Sequence, residues 1–191
     1  LFQGDSFFPA DVAVGSYTYW ATETDSITGC ESEGDSAVYT INPIPAPPTT
    51  SDTSECFGQP MPDLTAAGSN IQWYDTYTLN TLLGSGANYS TGDTAVGPHE
   101  YYVTQTVAGC ESVADSATLT IDAIPLPPTS TDTTICEGDS VPDLVAVGSS
   151  INWFADAGLT TLLASNDSLS TGETAAGVYD YYVTQTALGC S

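Results

Sequence analysis

The chain contains no lysine and no arginine. Against 24 Asp and Glu and a single histidine, that absence leaves a formal net charge of −24. Nucleic-acid binding rests on cations that displace phosphate counterions; none is present, so DNA and RNA are not expected as partners. Arginine phosphate clamps, P-loop lysines and lysine Schiff bases need the same missing side chains. Conventional salt bridges are excluded too, so the carboxylates repel one another unless salt, divalent cations or bound glycans intervene. A protease that demands Lys or Arg finds no cleavage point.

Long apolar runs are also missing, so no membrane insertion is expected within these residues. The start, Leu1-Phe2-Gln3-Gly4, has neither a basic n-region nor an apolar h-region, which places any targeting segment outside this stretch. Histidine is nearly absent: His99 stands alone, and tyrosines (Tyr17 and Tyr179) occupy the equivalent positions. An imidazole base that does not recur builds no nucleophile triad among the many Ser and Thr, so no enzyme activity is expected.

What the chain does have is internal repetition. Cys56 and Cys136 are 80 residues apart, as are Cys110 and Cys190, and Cys30 and Cys110. Pro62-Asp63-Leu64 returns as Pro142-Asp143-Leu144, Ile71-Gln72-Trp73 as Ile151-Asn152-Trp153, and Tyr101-Tyr102-Val103-Thr104-Gln105-Thr106 as Tyr181-Tyr182-Val183-Thr184-Gln185-Thr186. Proline-rich spacers, Pro43-Ile44-Pro45-Ala46-Pro47-Pro48 and Pro125-Leu126-Pro127-Pro128, favour extended, semi-rigid connections. Gly15, Tyr19 and Thr22 align with Gly97, Tyr101 and Thr104, and Leu1 with Leu83. Residues 1–44 therefore read as the C-terminal half of a module, 45–124 as a complete module, and 125–191 as a module without its final strand.

Each module reads as short strands between Gly, Pro, Asp and Asn turns. Alternation puts Ile71 with Trp73, and Ile151 with Trp153, on the core face, with Gln72 and Tyr74 outward. Tyr101 and Val103 alternate with Tyr102 and Thr104, Tyr181 follows Tyr101, and Ala117, Leu119 and Ile121 face inward. One core face per sheet is β-sandwich patterning.

An early-strand Trp, a Tyr-rich late strand and two cysteines 54 residues apart resemble immunoglobulin-like architecture. The fold expected is all-β: tandem immunoglobulin-like sandwiches of about 80 residues, one disulfide each. That resemblance implies the pairs Cys56–Cys110 and Cys136–Cys190, with the partner of Cys30 outside the chain. Each bond would contribute about 4 kcal/mol on the chain-entropy model. Two cysteines per module without a recurring His do not make a zinc set.

Cys-x-Gly, Ala-x-Gly, Trp-Tyr or Trp-Phe, Leu-Leu, Tyr-Tyr-Val-Thr-Gln-Thr and Gly-Cys-Glu-Ser together resemble bacterial Ig-like repeat modules of large secreted and surface proteins of Bacteroidota, a family associated with type IX secretion and gliding-associated C-terminal domains. The resemblance covers the whole chain and implies export to the bacterial cell surface, with an adhesive or structural role. The chain departs from it after the second cysteine, where members carry Arg and Glu33-Gly34 or Val113-Ala114 stands here.

The recurring carboxylates Asp52, Asp63, Asp132 and Asp143 are candidate calcium ligands, weighed against ordinary turn formation; no other cofactor is expected. Asp followed by Ser or Thr and a small or aliphatic residue resembles a Bacteroidota O-glycosylation motif, which makes Ser26, Ser36, Thr94, Ser116, Thr133, Ser140 and Ser168 candidate acceptors. Asx-turn chemistry explains the same pattern without a glycan. Two functions fit: a component of an extracellular fibre, filament or stalk, or an adhesin that binds glycans or proteins through Tyr74, Tyr77, Tyr102 and Tyr182. The expected partners are further repeats of the same polypeptide or other copies of the chain, which could add a strand to residues 125–191, and surface glycans.

Overall fold

The computed structural model describes residues 3–191, among which every regular element is a β-strand. Leu1 and Phe2, including the alignment of Leu1 with Leu83, lie outside the described residues. The chain divides into two compact units: Leu1–Thr50, Thr65–Tyr89 and Tyr101–Ser116 form one, and Ser51–Leu64, Ser90–Glu100 and Ala117–Ser191 the other.

In the first unit, Gly15–Ala21 pairs antiparallel with Asp35–Ile41, in register from Gly15 opposite Ile41 to Ala21 opposite Asp35. The short strand Thr49–Thr50 pairs with Ala66 and Ala67. Gln72–Tyr74 is flanked by Leu82–Ser85 on one side and by Tyr102, Val103 and Thr104 on the other. A tight hairpin joins Thr106–Val107 to Cys110–Glu111. Its turn residues, Ala108 and Gly109, both have positive φ, 51° and 80°. That is the twist a two-residue hairpin prefers, and Gly takes it without a Cβ clash.

Burial follows the alternation on the core side. Ile71, Trp73 and Val103 are buried, and Trp73 stacks on Tyr89 with ring centroids 5.7 Å apart. Tyr101 is only half-buried and meets Tyr89 edge-on at 5.5 Å, so it closes the rim of the core rather than filling its centre. Tyr74 corrects the sequence reading. It belongs to the outward set by alternation, yet it is 8% exposed, because the hairpin carrying Glu111 folds back over that face and Tyr74 OH donates to Glu111 Oε1 at 3.2 Å.

In the second unit, Thr53–Cys56 runs parallel to the strand that ends the middle repeat, with Leu119 opposite Thr53 and Asp122 opposite Cys56. Leu64, Ala117, Leu119 and Ile121 are buried. Farther on, Thr129–Ser130, Leu144–Val147 and Ser168–Leu169 form one three-stranded sheet, and Ile151–Phe154 lies between Leu162–Ala164 and Tyr182–Gln185 in another. Ala146, Ile151, Trp153 and Leu169 make its core, with Leu144, Ala164, Tyr181 and Val183 packed against them. Residues 133–136, counterparts of Thr53–Cys56, form no strand.

The cysteine pairing differs from the expected one. The bond joins Cys56 to Cys190, with Cα atoms 5.6 Å apart, while Cys30, Cys110 and Cys136 are free thiols. Neither Cys56–Cys110 nor Cys136–Cys190 forms. The reason lies in where the cysteines sit. An immunoglobulin disulfide spans two core strands beside the Trp. Here Cys56 ends a strand at the point where the neighbouring strand finishes with Asp122, and Cys110 and Cys190 sit on terminal hairpins.

Candidate functional site

The two spacers are fastened to the repeats that follow them by one side chain each. Gln105 Oε1 accepts from the Ser69 N–H at 2.9 Å, and its Nε2 donates to the Ala46 carbonyl at 2.8 Å. Gln185 repeats both bonds, accepting from the Ser149 N–H at 2.8 Å and donating to the carbonyl of Leu126. Ala46 and Leu126 are each flanked by prolines, which carry no N–H, so the spacer has few donors of its own for its carbonyls. Pro48 at the end of the first spacer is fully buried. In the sequence Tyr-Tyr-Val-Thr-Gln-Thr stands out only as a landmark; the signal for the clamp is the recurring pair of Gln with the Gly of Ala-x-Gly.

Those glycines leave room for the clamp. A Cβ on Gly68 would stand 2.7 Å from Gln105 Oε1, and one on Gly148 2.5 Å from Gln185 Oε1. Both are below any ordinary contact distance, so Gly68 and Gly148 let the amide lie across the backbone.

The Gly-Cys-Glu-Ser motif makes a second brace. Glu111 Oε1 accepts from Thr104 Oγ1 at 2.7 Å, and Ser112 Oγ accepts from the Gln105 N–H at 3.0 Å. In the first half-module Thr22 Oγ1 donates to Glu31 Oε1 and Ser32 Oγ accepts from the Glu23 N–H at 2.9 Å. Burial, with the Glu111 charge second, raises the Tyr74 hydroxyl above the ordinary tyrosine range. Burial likewise raises Tyr181, whose OH donates to Glu173 Oε1 at 2.9 Å.

His99 is accounted for by the tyrosines it replaces. Its Nε2 lies 2.7 Å from the Ala95 carbonyl, four residues back; Tyr17 OH reaches Ala13 and Tyr179 OH reaches Ala175 in the same way. Asp93 approaches His99 Nδ1 at 3.5 Å. Both ring nitrogens are thus occupied by a structural contact.

The candidate calcium carboxylates are dispersed. Asp52 Oδ1 accepts from the Thr118 N–H at 2.9 Å, tying the start of the middle repeat to its last strand, and Asp63, Asp132 and Asp143 are exposed. Among the described residues, no three His, Cys, Asp or Glu side chains gather where a cation could sit. Elsewhere Asp serves turns: Asp25 Oδ1 accepts from the Ile27 and Thr28 N–H groups, and the backbone bond from Thr28 leads those that hold Asp25 below the ordinary carboxylate range.

Of the candidate glycan acceptors, Ser26, Ser36, Thr94, Ser116, Thr133 and Ser140 are exposed and Ser168 is half-buried. Of the candidate adhesive tyrosines, Tyr77 is 68% exposed and packs edge-on against Tyr102 at 5.8 Å; Tyr182 borders on exposed, and Tyr74 is withdrawn into the brace described above.

Residues 45–123 match the family model described as Ig-like domain, CHU_C associated. No curated protein matches the chain. Among the described residues, no helix is long and apolar enough to cross a membrane.

Proposed function

We propose, on the premise that residues 45–123 are a bacterial Ig-like module of the CHU_C-associated family, that the chain is a non-catalytic structural segment of an extracellular fibre or stalk. The family supports the coarser reading, an extracellular structural or adhesive module. The finer one is carried by the clamp: Gln105 and Gln185 bind the carbonyls of Ala46 and Leu126, so each proline spacer is held against the repeat it introduces. A tether for independent domains gains nothing from such bonds; an element that carries tension or sets spacing does, because a fixed spacer transmits orientation. The acidic surface suits an ionic exterior and keeps neighbouring chains apart.

Electron microscopy of the native material is the test. Filaments or stalks with a module-sized repeat support the reading, and freely jointed beads sink it. An adhesin is the second reading, favoured by exposed Tyr77, which packs edge-on against the half-buried Tyr102. Retention on a glycan array that is lost in Tyr77→Ser would favour it over the fibre.

A further inference from the structure

We infer that Cys56–Cys190 is one rung of a disulfide series, in which the strand-end cysteine of each repeat bonds the hairpin cysteine of the next. Cys110 and Cys136 are then half-rungs, awaiting cysteines on the preceding and following repeats. This goes beyond the fibre reading and stands whether or not the array forms a fibre.

The first support is placement. Cys56 lies opposite Asp122, and the Phe57 N–H donates to the Asp122 carbonyl at 2.8 Å, so Cys56 sits where the chain leaves the middle repeat for its spacer. Cys190 sits on a hairpin closed by reciprocal backbone bonds with Ala187, both 2.9 Å. That hairpin follows Gln185, which holds the spacer at Leu126, so it stands where the chain enters the next repeat. Exit end meets entry end, and the bond forms there.

The same landmarks recur around the free thiols. Cys110 pairs with Val107 in the equivalent hairpin, after Gln105, which holds the spacer at Ala46. The turn of that hairpin is touched from the preceding half-module: Asn42 Nδ2 donates to the Ala108 carbonyl at 3.1 Å. Cys136 accepts from the Asp139 N–H at 3.1 Å, as Cys56 accepts from the Gln59 N–H at 3.1 Å. Cys110 therefore shares the hairpin and the neighbouring clamp of Cys190, and Cys136 shares the backbone turn that follows Cys56 but not its strand.

The second support is arithmetic. The 134-residue separation of Cys56 and Cys190 defines the rule, and applied to Cys30, Cys110 and Cys136 it pairs none of them with another cysteine of residues 1–191. The 54-residue rule predicts two bonds and leaves only Cys30. One bond and three thiols are found.

Each further rung forms when two thiols give up two protons and two electrons to a small disulfide such as oxidised glutathione, which departs as two thiols. The partner is a cysteine of another repeat of this pattern, in the same polypeptide or in a second copy. Two arms distinguish the sources. In the first, the natural polypeptide is alkylated with iodoacetamide without reductant, cut after acidic residues and mapped. The expected result is loss of alkylation at Cys110 and Cys136, with links at the 134-residue spacing within one polypeptide, or between chains if copies are joined. In the second, the purified 191-residue chain is treated with oxidised glutathione. Covalent dimers should join Cys136 of one copy to Cys110 or Cys30 of another. Links at the 54-residue spacing, Cys136–Cys136 dimers as the main product, or free Cys110 and Cys136 thiols in the natural polypeptide would each overturn the proposal. Because both arms read the wild-type protein, folding defects of variants do not enter.

Discussion

Gln105 Nε2 donates to the backbone carbonyl of Ala46 at 2.8 Å, across 59 residues of sequence. The other end of the same amide accepts from the Ser69 N–H, so the side chain's orientation is fixed by its two partners: a carbonyl can only accept and an N–H can only donate. Gln105→Ala should cost about 1 kcal/mol in denaturant unfolding, since water can reach both partners. Its larger effect should be local: faster hydrogen exchange at the Ser69 amide and greater mobility of residues 43–47. Unchanged exchange at Ser69 would show that the amide is an ornament of the loop and not its fastening.

Gly68 should be intolerant of a methyl group for the same reason. A Cβ there would meet Gln105 Oε1 at 2.7 Å and Ile71 Cδ1 at 2.9 Å. Gly68→Ala is expected to destabilise by about 1–3 kcal/mol, as overpacking does. Paired with Gln105→Ala, the cost should be less than the sum of the two, because removing the amide frees part of the space. Strict additivity in the double-mutant cycle would remove the coupling claimed between these residues.

Much of this molecule was open to reading before any coordinates. The inward faces of Ile71, Trp73 and Val103 and the equivalence of His99 with two tyrosines follow from residue type and spacing, and burial or bonding agrees at each. Reading failed where a second element acts on a strand. Alternation cannot know that the Cys110–Glu111 hairpin will cover Tyr74. Nor can spacing choose among cysteine pairs, since 54 and 134 residues join the same two classes of cysteine; the choice is made by which ends of successive repeats meet. The Gly and Gln of the clamp were both visible as repeated letters, but their contact belongs to the folded chain.

High pH should unfold the protein through its braced tyrosines. Tyr74 and Tyr181 both hold their protons to a higher pH than free tyrosine, chiefly through burial and then through Glu111 and Glu173. Above the ordinary value of about 10 the unfolded chain ionises first, so the folded state binds more protons and stability falls as pH rises. The contribution is complete below that value and is lost as the folded pKa values are passed. Tyr74→Phe and Tyr181→Phe should each flatten the alkaline limb of a melting-temperature profile. An alkaline limb unchanged in the double variant would assign the loss to other groups.

Ionic strength should raise the melting temperature, because 24 carboxylates face no lysine or arginine. The acidic groups are scattered, with Asp52 already bonded to the Thr118 N–H and no cluster of three among the described residues. Calcium chloride and sodium chloride at equal ionic strength are therefore expected to give the same rise. A surplus specific to calcium, reversed by chelator, would instead place a bound ion among the recurring Asp pairs.

Serine substitutions separate the observed disulfide from the one the spacing suggests. Closing 134 residues with Cys56–Cys190 restrains the unfolded chain by about 5 kcal/mol on the chain-entropy model, an upper value because repeats can unfold one at a time. Cys56→Ser and Cys190→Ser should lower stability equally, and the double variant should be no worse than either, since one bond is lost in every case. Cys110→Ser breaks no bond and should stay within about 0.5 kcal/mol of the parent, as surface changes do. With reductant present the four proteins should converge. If Cys110→Ser instead matched Cys56→Ser while Cys136→Ser matched Cys190→Ser, the bonds would lie within repeats, and the joint between them would depend on the glutamine clamps alone.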